Sequence, residues 1–355
     1  MPQPSGQQLS ICIVRLSAIG DVCHVTAVVQ AIQRHYPNAA ITWIVGRLEY
    51  TLLSDLPGIE FLVFDKSKGL GAYREIYRQL KRRSAFDVVL HMQTSLRSNL
   101  LGALLRAKRK IGLPTDKGKE LHRLAITENL PPSGAFHVID VFKEFAYAIG
   151  VPPFTPQWAI PLPHEAQQKA QSLGEIRSGF ALLAPSASNK ERIWRTERYA
   201  RIAEYCHEKG LSVIVSGSKA HEDIALAESI CGAAKTPITN LTGETTLKEL
   251  TALCRYARVV IGPDSGTLHL ASTQNTPAIG LYAHSNPMRT GPYHSLHLVA
   301  NAYARVLTAR GLEERADTWG YRLKGAQLMD EITVEEVCSL IETALKQPHL
   351  PSHKA

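Results

Sequence analysis

Short apolar runs alternate with amphipathic stretches along most of the chain. Buried strands are predicted at 11–16, 41–45, 61–64, 88–92 and 110–112 in the first half, and at 180–183, 211–215, 259–262 and 278–282 in the second. Helices are predicted at about 22–36, 73–81, 196–208, 221–231, 247–254, 267–273 and 333–345. Apolar strands that alternate with helices indicate an α/β fold with doubly wound, Rossmann-like parallel sheets covered on both faces.

A proline-rich stretch at 151–163 interrupts this alternation, and 355 residues are enough for two domains. Because proline stiffens the chain and removes backbone donors, we interpret 151–163 as a linker. The predicted organisation is a leader at 1–9, one domain at 10–150, a second at 164–330, a final helix at 331–347 and a tail at 348–355. Sheets of this kind bind ligands at the carboxyl ends of their strands, so we expect the two domains to face a cleft.

Composition indicates a cytoplasmic enzyme. Hydrophobic residues make up 45% of the chain and charged residues 20%, no apolar stretch reaches transmembrane length, and the N-terminus lacks the profile of a secretory signal. The six cysteines form no C-x-x-C pair, which favours buried thiols in a reducing compartment over disulfides or zinc ligands.

Positive charge is concentrated in two stretches of the first half. The net charge is +8, and 66–83 and 106–123 hold much of the basic excess. Such clusters either form solvated helix faces or attract phosphate-bearing partners. No aromatic-interleaved stripe or helix-turn-helix pattern accompanies them, so nucleic acid is not predicted as a partner.

The turn after the first strand carries the first candidate for chemistry. Asp21 follows Gly20 at the start of a predicted helix, where an aspartate can serve as an N-cap or, at the edge of a cleft, accept a proton as a general base. The turn has only one glycine, so it is not the G-x-G-x-x-G signature of dinucleotide-binding proteins.

Several strand-end loops of the second domain combine hydroxyls, glycines and charges that suit a nucleotide diphosphate. Ser186, Lys190 and Arg192 follow one strand, and Ser265, Gly266, Thr267 and His269 follow another. Gly217, Ser218 and Glu222 form a third strand-to-helix turn, where Glu222 can accept hydrogen bonds from ribose hydroxyls. The loop at 241–247, which contains Thr245, is of the kind that lies over a nucleobase.

Taken in order, these motifs resemble glycosyltransferase family 9, the ADP-heptose–lipopolysaccharide heptosyltransferases. The matching residues are S-x-x-G-D at 17–21, the loop at 190–194, Gly217-Ser218, L-T-G-E-T at 241–245 and D-S-G-x-x-H at 264–269. The resemblance spans nearly the whole chain and implies a GT-B fold. Arg195 stands where the family usually has proline, which leaves open whether Lys190 or Arg192 contacts phosphate.

The resemblance implies an inverting transfer of heptose from ADP-heptose to the lipopolysaccharide inner core, without a metal or other cofactor. Asp21 matches the catalytic base, and Asp264, Ser265, Gly266, Thr267 and His269 match the donor diphosphate site. Arg192 matches a phosphate contact, Ser186 and Ala187 fall where the family has hydroxyl residues, and Glu222 matches a ribose-binding acid. Acceptor-side candidates are Ser17, Gly20, His24 and Gln93, to which the resemblance adds Lys119. The acceptor would be anionic and presented at the inner leaflet of the membrane.

Three alternatives stay open at this point. One is a GT-B enzyme that uses another nucleotide sugar such as a UDP-hexose. Another is a nucleotide-binding module without catalysis, which would not need Asp21. A dehydrogenase is less favoured, because its glycine signature and downstream ribose acid are missing.

Overall fold

The computed structural model describes residues 8–118, 121–175, 179–325 and 327–347. The chain divides after Pro161 into two compact units, Met1–Pro161 and Leu162–Ala355. Among the described residues each unit contains one six-stranded parallel sheet flanked by helices. None of the helices in these ranges is long and apolar enough to cross a membrane.

The first unit alternates strands and helices. Its strands are β1 (Ser10–Val14), β2 (Ala40–Gly46), β3 (Ile59–Phe64), β4 (Phe86–His91), β5 (Ala107–Gly112) and β6 (Glu128–Asn129). Its helices are α1 (Ile19–His35), α2 (Arg47–Leu53), α3 (Leu70–Leu80), α4 (Leu96–Leu104) and α5 (Val138–Tyr147), with 3-10 turns at Lys66–Lys68 and His122–Leu124.

The second unit repeats this plan. Its strands are β7 (Phe180–Leu183), β8 (Ser212–Val215), β9 (Thr239–Asn240), β10 (Val259–Pro263), β11 (Ala278–Tyr282) and β12 (Val299–Asn301). Its helices are α6 (His164–Glu175), α7 (Thr196–Glu208), α8 (His221–Ala233), α9 (Leu247–Tyr256), α10 (Gly266–Thr273), α11 (Pro287–Thr290), α12 (Ala302–Ala309) and α13 (Val334–Leu345). Four 3-10 segments lie in the described part of this unit, at Lys190–Arg192, Tyr293–Leu298, Glu313–Arg315 and Leu328–Glu331.

Both sheets have the same strand order. The first is β3-β2-β1-β4-β5-β6 and the second is β12-β11-β10-β7-β8-β9, which is the doubly wound Rossmann order in each case. Strand order reverses between β1 and β4 in the first unit, and between β7 and β10 in the second. The loops that follow these four strands therefore converge in pairs, and each pair opens a crevice where ligands bind in such sheets.

The predicted α/β fold with parallel sheets is confirmed. The nine predicted strands and seven predicted helices are all present, with ends shifted by a few residues. Burial explains this agreement, because every residue of β7, and every residue of β1 after Ser10, is apolar and buried. The six cysteines are free thiols, and Cys12, Cys23, Cys206 and Cys254 are buried in these cores.

Candidate active site

The crevice of the first unit brings the end of β1 beside the end of β4. Gln93, just after β4, accepts a hydrogen bond at Oε1 from the Leu16 backbone N–H (2.7 Å), and its Nε2 donates to Ser17 Oγ (3.4 Å). Gln93 therefore fixes the β1–α1 turn. Ser17 and Gln93, two of the predicted acceptor-side positions, lie on these two connected loops, and Gly20 lies in the first turn of α1.

Asp21 lies in the first turn of α1, directly after this loop, and is paired with Arg15. Nη2 of Arg15 donates to Asp21 Oδ2, and Nη1 donates to the Met92 carbonyl. The Arg15 side chain is 12% exposed, whereas the Asp21 side chain is 32% exposed. The guanidinium also lies over the Phe142 ring, 5.2 Å from its centroid. Arg15 is thus a buried cation whose counterion is the candidate base.

The carboxylate of Asp21 is held by one oxygen. The other hydrogen bond that it accepts from the described residues, from the Ala18 backbone N–H at 3.4 Å, also falls on Oδ2. Oδ1 is left for a ligand, and the partial exposure of the side chain gives a ligand access to it. A carboxylate with one anchored and one available oxygen suits proton transfer in a fixed direction.

Asp21 does not occupy the N-cap position that its sequence context allowed. The first helix begins at Ile19, so Ala18 is the N-cap residue and Asp21 is the third helical residue. At that position the side chain still reaches back to the N-cap backbone, and it lies in the first turn, where the helix dipole favours a negative charge.

Two other acceptor-side candidates differ in their setting. His24 is 2% exposed and packs edge-on against His137, with 5.5 Å between the ring centroids, so it lies in the packing between α1 and α5. Lys119 lies outside the described residues.

The crevice of the second unit joins the loops after β7 and β10 through Arg192 and Asp264. Nη1 of Arg192 donates to the Asp264 carbonyl (2.9 Å) and lies 3.1 Å from Asp264 Oδ2. Their side chains are 10% and 12% exposed. The predicted phosphate arginine is therefore buried against the start of α10.

The Asp264 carboxylate is occupied by the protein itself. Besides Arg192, its Oδ2 accepts hydrogen bonds from Ser285 Oγ (2.7 Å) and Thr290 Oγ1 (3.3 Å). Nε2 of His269 lies 3.9 Å from Asp264 Oδ1, and the His269 side chain is 8% exposed. Asp264 thus organises the loops around α10.

The start of α10 has the features of an anion site. Ser265 occupies the N-cap position with extended backbone, yet its side chain makes no capping hydrogen bond, and the first turn holds no acidic residue. The hydroxyls of Ser265 and Ser186 are buried and have no partner among the described residues. Buried donors without partners, beside the free N–H groups of Gly266 and Thr267, suit phosphate oxygens.

Loops after β7, β8 and β9 meet at Gly217. A Cβ atom at this position would lie 3.0 Å from Thr242 Cγ2 and 3.3 Å from Ser186 Oγ, so a larger residue would have to displace one of these side chains slightly. The next residue, Ser218, donates from both N (2.9 Å) and Oγ (2.7 Å) to Asp223 Oδ2. The Ser218 hydroxyl is therefore committed to holding the β8–α8 turn.

The exposed edge of this crevice carries an ion pair between two predicted donor-binding residues. Lys190 Nζ lies 3.2 Å from Glu222 Oε1, and their side chains are 80% and 69% exposed. Ala187 and Thr245 are half-buried. Since an exposed pair of this kind contributes about 0–1 kcal/mol, both side chains can turn to a ligand at little cost.

Reasoning from sequence missed Arg15, Asp223 and Ser285 as supporting residues. A signal existed for Arg15, which is a charge at the end of an otherwise apolar strand run. For Asp223 and Ser285 the sequence offers no signal, because each is an ordinary polar residue until the fold brings it to Ser218 or to Asp264.

The described residues contain no group of three or more His, Cys, Asp or Glu side chains that could hold a metal ion.

Two doubly wound units in one chain are the architecture of GT-B glycosyltransferases. The sequence model of "Glycosyltransferase family 9 (heptosyltransferase)" matches residues 73–309. A relative, the lipopolysaccharide core heptosyltransferase OpsX of Haemophilus influenzae, is 38% identical over 338 residues, which cover 95% of this chain and 97% of the relative. The chain belongs to glycosyltransferase family 9, and it is a glycosyltransferase.

Solved structures share the fold. A glycosyltransferase of family 9 from Veillonella parvula matches with a TM-score of 0.77 at 20% identity, covering 95% of this chain and 97% of that one. The Escherichia coli heptosyltransferase WaaC with ADP matches with a TM-score of 0.73 at 18% identity, covering 95% of this chain and 100% of that one. These similarities establish the GT-B architecture predicted from the sequence.

Proposed function

We propose that this enzyme transfers heptose from ADP-L-glycero-D-manno-heptose to a hydroxyl of the lipopolysaccharide inner core, with inversion at the anomeric carbon and without a metal ion. The observation that carries the proposal is that the two units present different chemistry at their strand-end crevices. The first has a carboxylate with one oxygen free of hydrogen bonds from the described residues, and the second has an uncapped helix start lined by hydroxyls. Support for the donor and acceptor comes from two relatives, a lipopolysaccharide core heptosyltransferase and a heptosyltransferase with ADP.

The second unit is proposed to bind ADP-heptose. The diphosphate would accept hydrogen bonds from the backbone N–H groups of Gly266 and Thr267 and from the Ser265 and Ser186 hydroxyls. Arg192 would supply positive charge from beneath, and its Nε, which has no partner among the described residues, is a further donor. Glu222 would accept from the ribose hydroxyls once it leaves Lys190, which would then turn to phosphate.

The first unit is proposed to bind the acceptor and take its proton. The acceptor hydroxyl would donate to Asp21 Oδ1 while Arg15 holds Oδ2. As the acceptor oxygen forms its bond to the anomeric carbon, the bond from that carbon to the diphosphate oxygen breaks. The proton passes to Asp21 and ADP leaves with the bonding electron pair. Attack opposite to the leaving group inverts the configuration, through a transition state with oxocarbenium character.

Charge on the departing diphosphate would be stabilised by fixed dipoles and cations of the protein. The start of α10, Arg192 and Lys190 provide such groups, and a preorganised set of donors can stabilise developing negative charge without a metal ion.

We place the reaction in the cytoplasm at the inner face of the membrane. The inner core is anionic, and the basic excess of the first unit in 66–83 and 106–123 complements such an acceptor.

The decisive experiment measures ADP release after the purified chain is mixed with ADP-heptose and deacylated lipopolysaccharide cores of graded truncation. We expect release with one core only, and the anomeric configuration of the product read by NMR to be inverted. Activity that persists in EDTA would support the metal-free mechanism. If none of the cores leads to ADP release although the chain binds ADP tightly, the proposed acceptor is rejected. If the chain does not bind ADP, the proposed donor is rejected and another nucleotide sugar is favoured.

A further inference from the structure

Three of the four leucines of α4 are exposed, and only Leu101 is buried. Leu96, Leu100 and Leu104 are spaced four residues apart, which places them on one side of the helix, and they are 58%, 51% and 46% exposed. The other exposed positions of α4 are Arg97 and Ala103. We call this exposed side, together with the adjacent Leu121 and Leu124, the α4 face.

The buried side of α4 carries Leu101 and otherwise small or polar residues. Ser98 is fully buried and donates from Oγ to the Gln93 and Ser95 carbonyls (3.2 and 2.8 Å). Asn99 Oδ1 accepts from Nδ1 of the buried His122 (3.1 Å). Gly102 packs directly on His91, whose Nε2 would lie 2.6 Å from an added Cβ atom. Leu101, polar contacts and close packing therefore attach α4 to the sheet, whereas Leu96, Leu100 and Leu104 contribute little to this attachment.

The apolar surface extends beyond the helix. His122 belongs to the 3-10 turn that Asn99 binds, and the leucines that flank it, Leu121 and Leu124, are 51% and 70% exposed. Helix α3 lies on another side, where Tyr73 Oη donates to the Arg97 carbonyl (3.2 Å). A groove between the C-terminal ends of α3 and α4 is lined by apolar and basic side chains, among them Tyr77, Lys81, Leu104 and Arg106.

Many cations of this region have no carboxylate partner among the described residues. Seven basic residues on α3, α4 and the segments that follow them form no ion pair with any described residue: Arg74, Arg78, Lys81, Arg82, Arg97, Arg106 and Arg123. By contrast, Lys68, Arg83, Lys108 and Arg109 of the same stretches are each paired with an acid. Uncompensated positive charge thus borders a row of exposed leucines.

We propose that the α4 face is a docking surface for an anionic lipid bilayer. Moving leucine side chains from water into an apolar phase lowers the free energy, and so does bringing unpaired arginines and lysines near anionic headgroups. An anionic bilayer provides both at one surface. Nucleic acid would satisfy only the cations. The inference deepens the proposed function, because a lipid-linked acceptor would be met at this surface, but its test reads lipid binding separately from sugar transfer.

Co-sedimentation with vesicles tests the proposal directly. The full chain should bind vesicles of phosphatidylglycerol and phosphatidylethanolamine and bind phosphatidylcholine vesicles far more weakly. Leu100→Glu should lower the apparent partition coefficient by about tenfold or more, since it replaces an inserting leucine with an anion. The matched control is Leu48→Glu, at an equally exposed leucine of α2 (59%), which should bind as the wild type does.

Two further variants separate the apolar and electrostatic contributions. The triple variant Leu96→Ser, Leu100→Ser, Leu104→Ser should lose binding at every salt concentration. The triple variant Arg74→Glu, Arg78→Glu, Lys81→Glu should lose most of the salt-sensitive part of the vesicle affinity. In the wild type that part weakens between ~0.1 M and ~0.5 M salt, because the screening length shortens. Both should keep the wild-type melting temperature, because the changed side chains are exposed.

Several results would overturn the proposal. These are a wild-type chain that does not sediment with anionic vesicles, a Leu100→Glu variant that binds like the wild type, and light scattering that shows a dimer dissociated by Leu100→Glu. Transfer to a deacylated, soluble core should be unchanged in Leu100→Glu. If neither the wild-type chain nor any variant releases ADP with that acceptor, the proposed function is rejected. The vesicle results still test whether the α4 face binds lipid.

Discussion

At the scale of single residues, each crevice contains an arginine–aspartate pair, but the two aspartates differ in exposure and in their hydrogen bonds. Asp21 is one-third exposed and has one oxygen free of hydrogen bonds from the described residues. Asp264 is 12% exposed and is surrounded by Arg192, Ser285 and Thr290. An accessible carboxylate can exchange a proton with a ligand, whereas a buried carboxylate that accepts several hydrogen bonds holds its neighbours in place.

Replacing Asp21 by asparagine should therefore abolish most turnover without loss of the fold. The amide still accepts a hydrogen bond from Arg15 but cannot take a proton, so we expect kcat to fall by about 10²–10⁴. ADP release measures the rate, and calorimetry should find ADP affinity unchanged. The comparison variant Asp264→Asn should instead weaken ADP binding and lower the melting temperature. Near-normal turnover by Asp21→Asn would remove Asp21 from the mechanism.

The choice between Lys190 and Arg192 as the phosphate contact can be decided by burial. Arg192 is fixed beside the start of α10, while Lys190 is 80% exposed. We expect Arg192→Met to weaken ADP binding about tenfold or more, because hydrogen bonds to charged groups contribute about 1.5–3 kcal/mol. Lys190→Met is the matched control and should change the Kd by less than about threefold. The reverse order of effects would assign the contact to Lys190.

At the scale of elements, two buried histidines join β4, α4 and the turn at His122–Leu124. His91 Nε2 lies 2.9 Å from the Ser98 carbonyl, and His122 Nε2 accepts from the Leu113 backbone N–H (3.2 Å). Burial, and then the neighbouring His91, lowers the pKa of His122 to about 4, and burial lowers the pKa of His91. Both rings are therefore neutral in the folded protein near pH 7.

This network predicts that the first unit loses stability in mild acid. Below about pH 6.5 the unfolded chain binds a proton at His122 that the folded chain does not bind until about pH 4. The free energy of unfolding should fall across that window, by up to about 3 kcal/mol for His122 at ~1.4 kcal/mol per pH unit, and flatten below it. Urea unfolding from pH 7.5 to 4 measures the slope.

The variant His122→Gln provides the control for this pH dependence. It keeps polar atoms beside Asn99 and Leu113 but does not titrate, so its stability should fall less between pH 6.5 and 4 than that of the wild type. An identical slope would assign the acid sensitivity to other groups.

At the scale of the whole molecule, one strand order is used twice. In each unit the reversal of strand order, at β1/β4 and at β7/β10, determines which loops converge. The units carry different chemistry on these equivalent loops, with a carboxylate in the first and hydroxyls and an uncapped helix start in the second.

Nucleotide binding should stabilise the molecule selectively. With ADP at about 100 times its Kd, linkage adds ~2.7 kcal/mol to the free energy of unfolding of the binding unit, which raises its melting temperature by a few degrees. UDP at the same concentration is the matched control and should produce a much smaller shift. An equal shift with UDP would contradict the assignment of ADP-heptose as donor.

Whether an element could be predicted from the sequence depended on how deeply it is buried in its sheet. Strands buried on both faces were recognisable, but β6 and β9 have two residues each at sheet edges and offer no pattern. Helix α4 escaped prediction because three of its four leucines are exposed while Ser98 and Asn99 are buried, which obscures the usual amphipathic periodicity.

The sequence by itself determined the two parallel sheets, the family and the loops that carry the candidate chemistry, because apolar runs and strand-end motifs are local properties of the chain. Only the tertiary structure decided what those residues contact: that Gln93 holds the β1–α1 turn, that Asp264 accepts hydrogen bonds from Ser285 and Thr290, and that Leu96, Leu100 and Leu104 of α4 are exposed. The physical reason is that the strand order of each sheet determines which loops, and therefore which side chains, become neighbours. Reversal at β1/β4 and β7/β10 brings together residues far apart in sequence, and no local pattern encodes that adjacency.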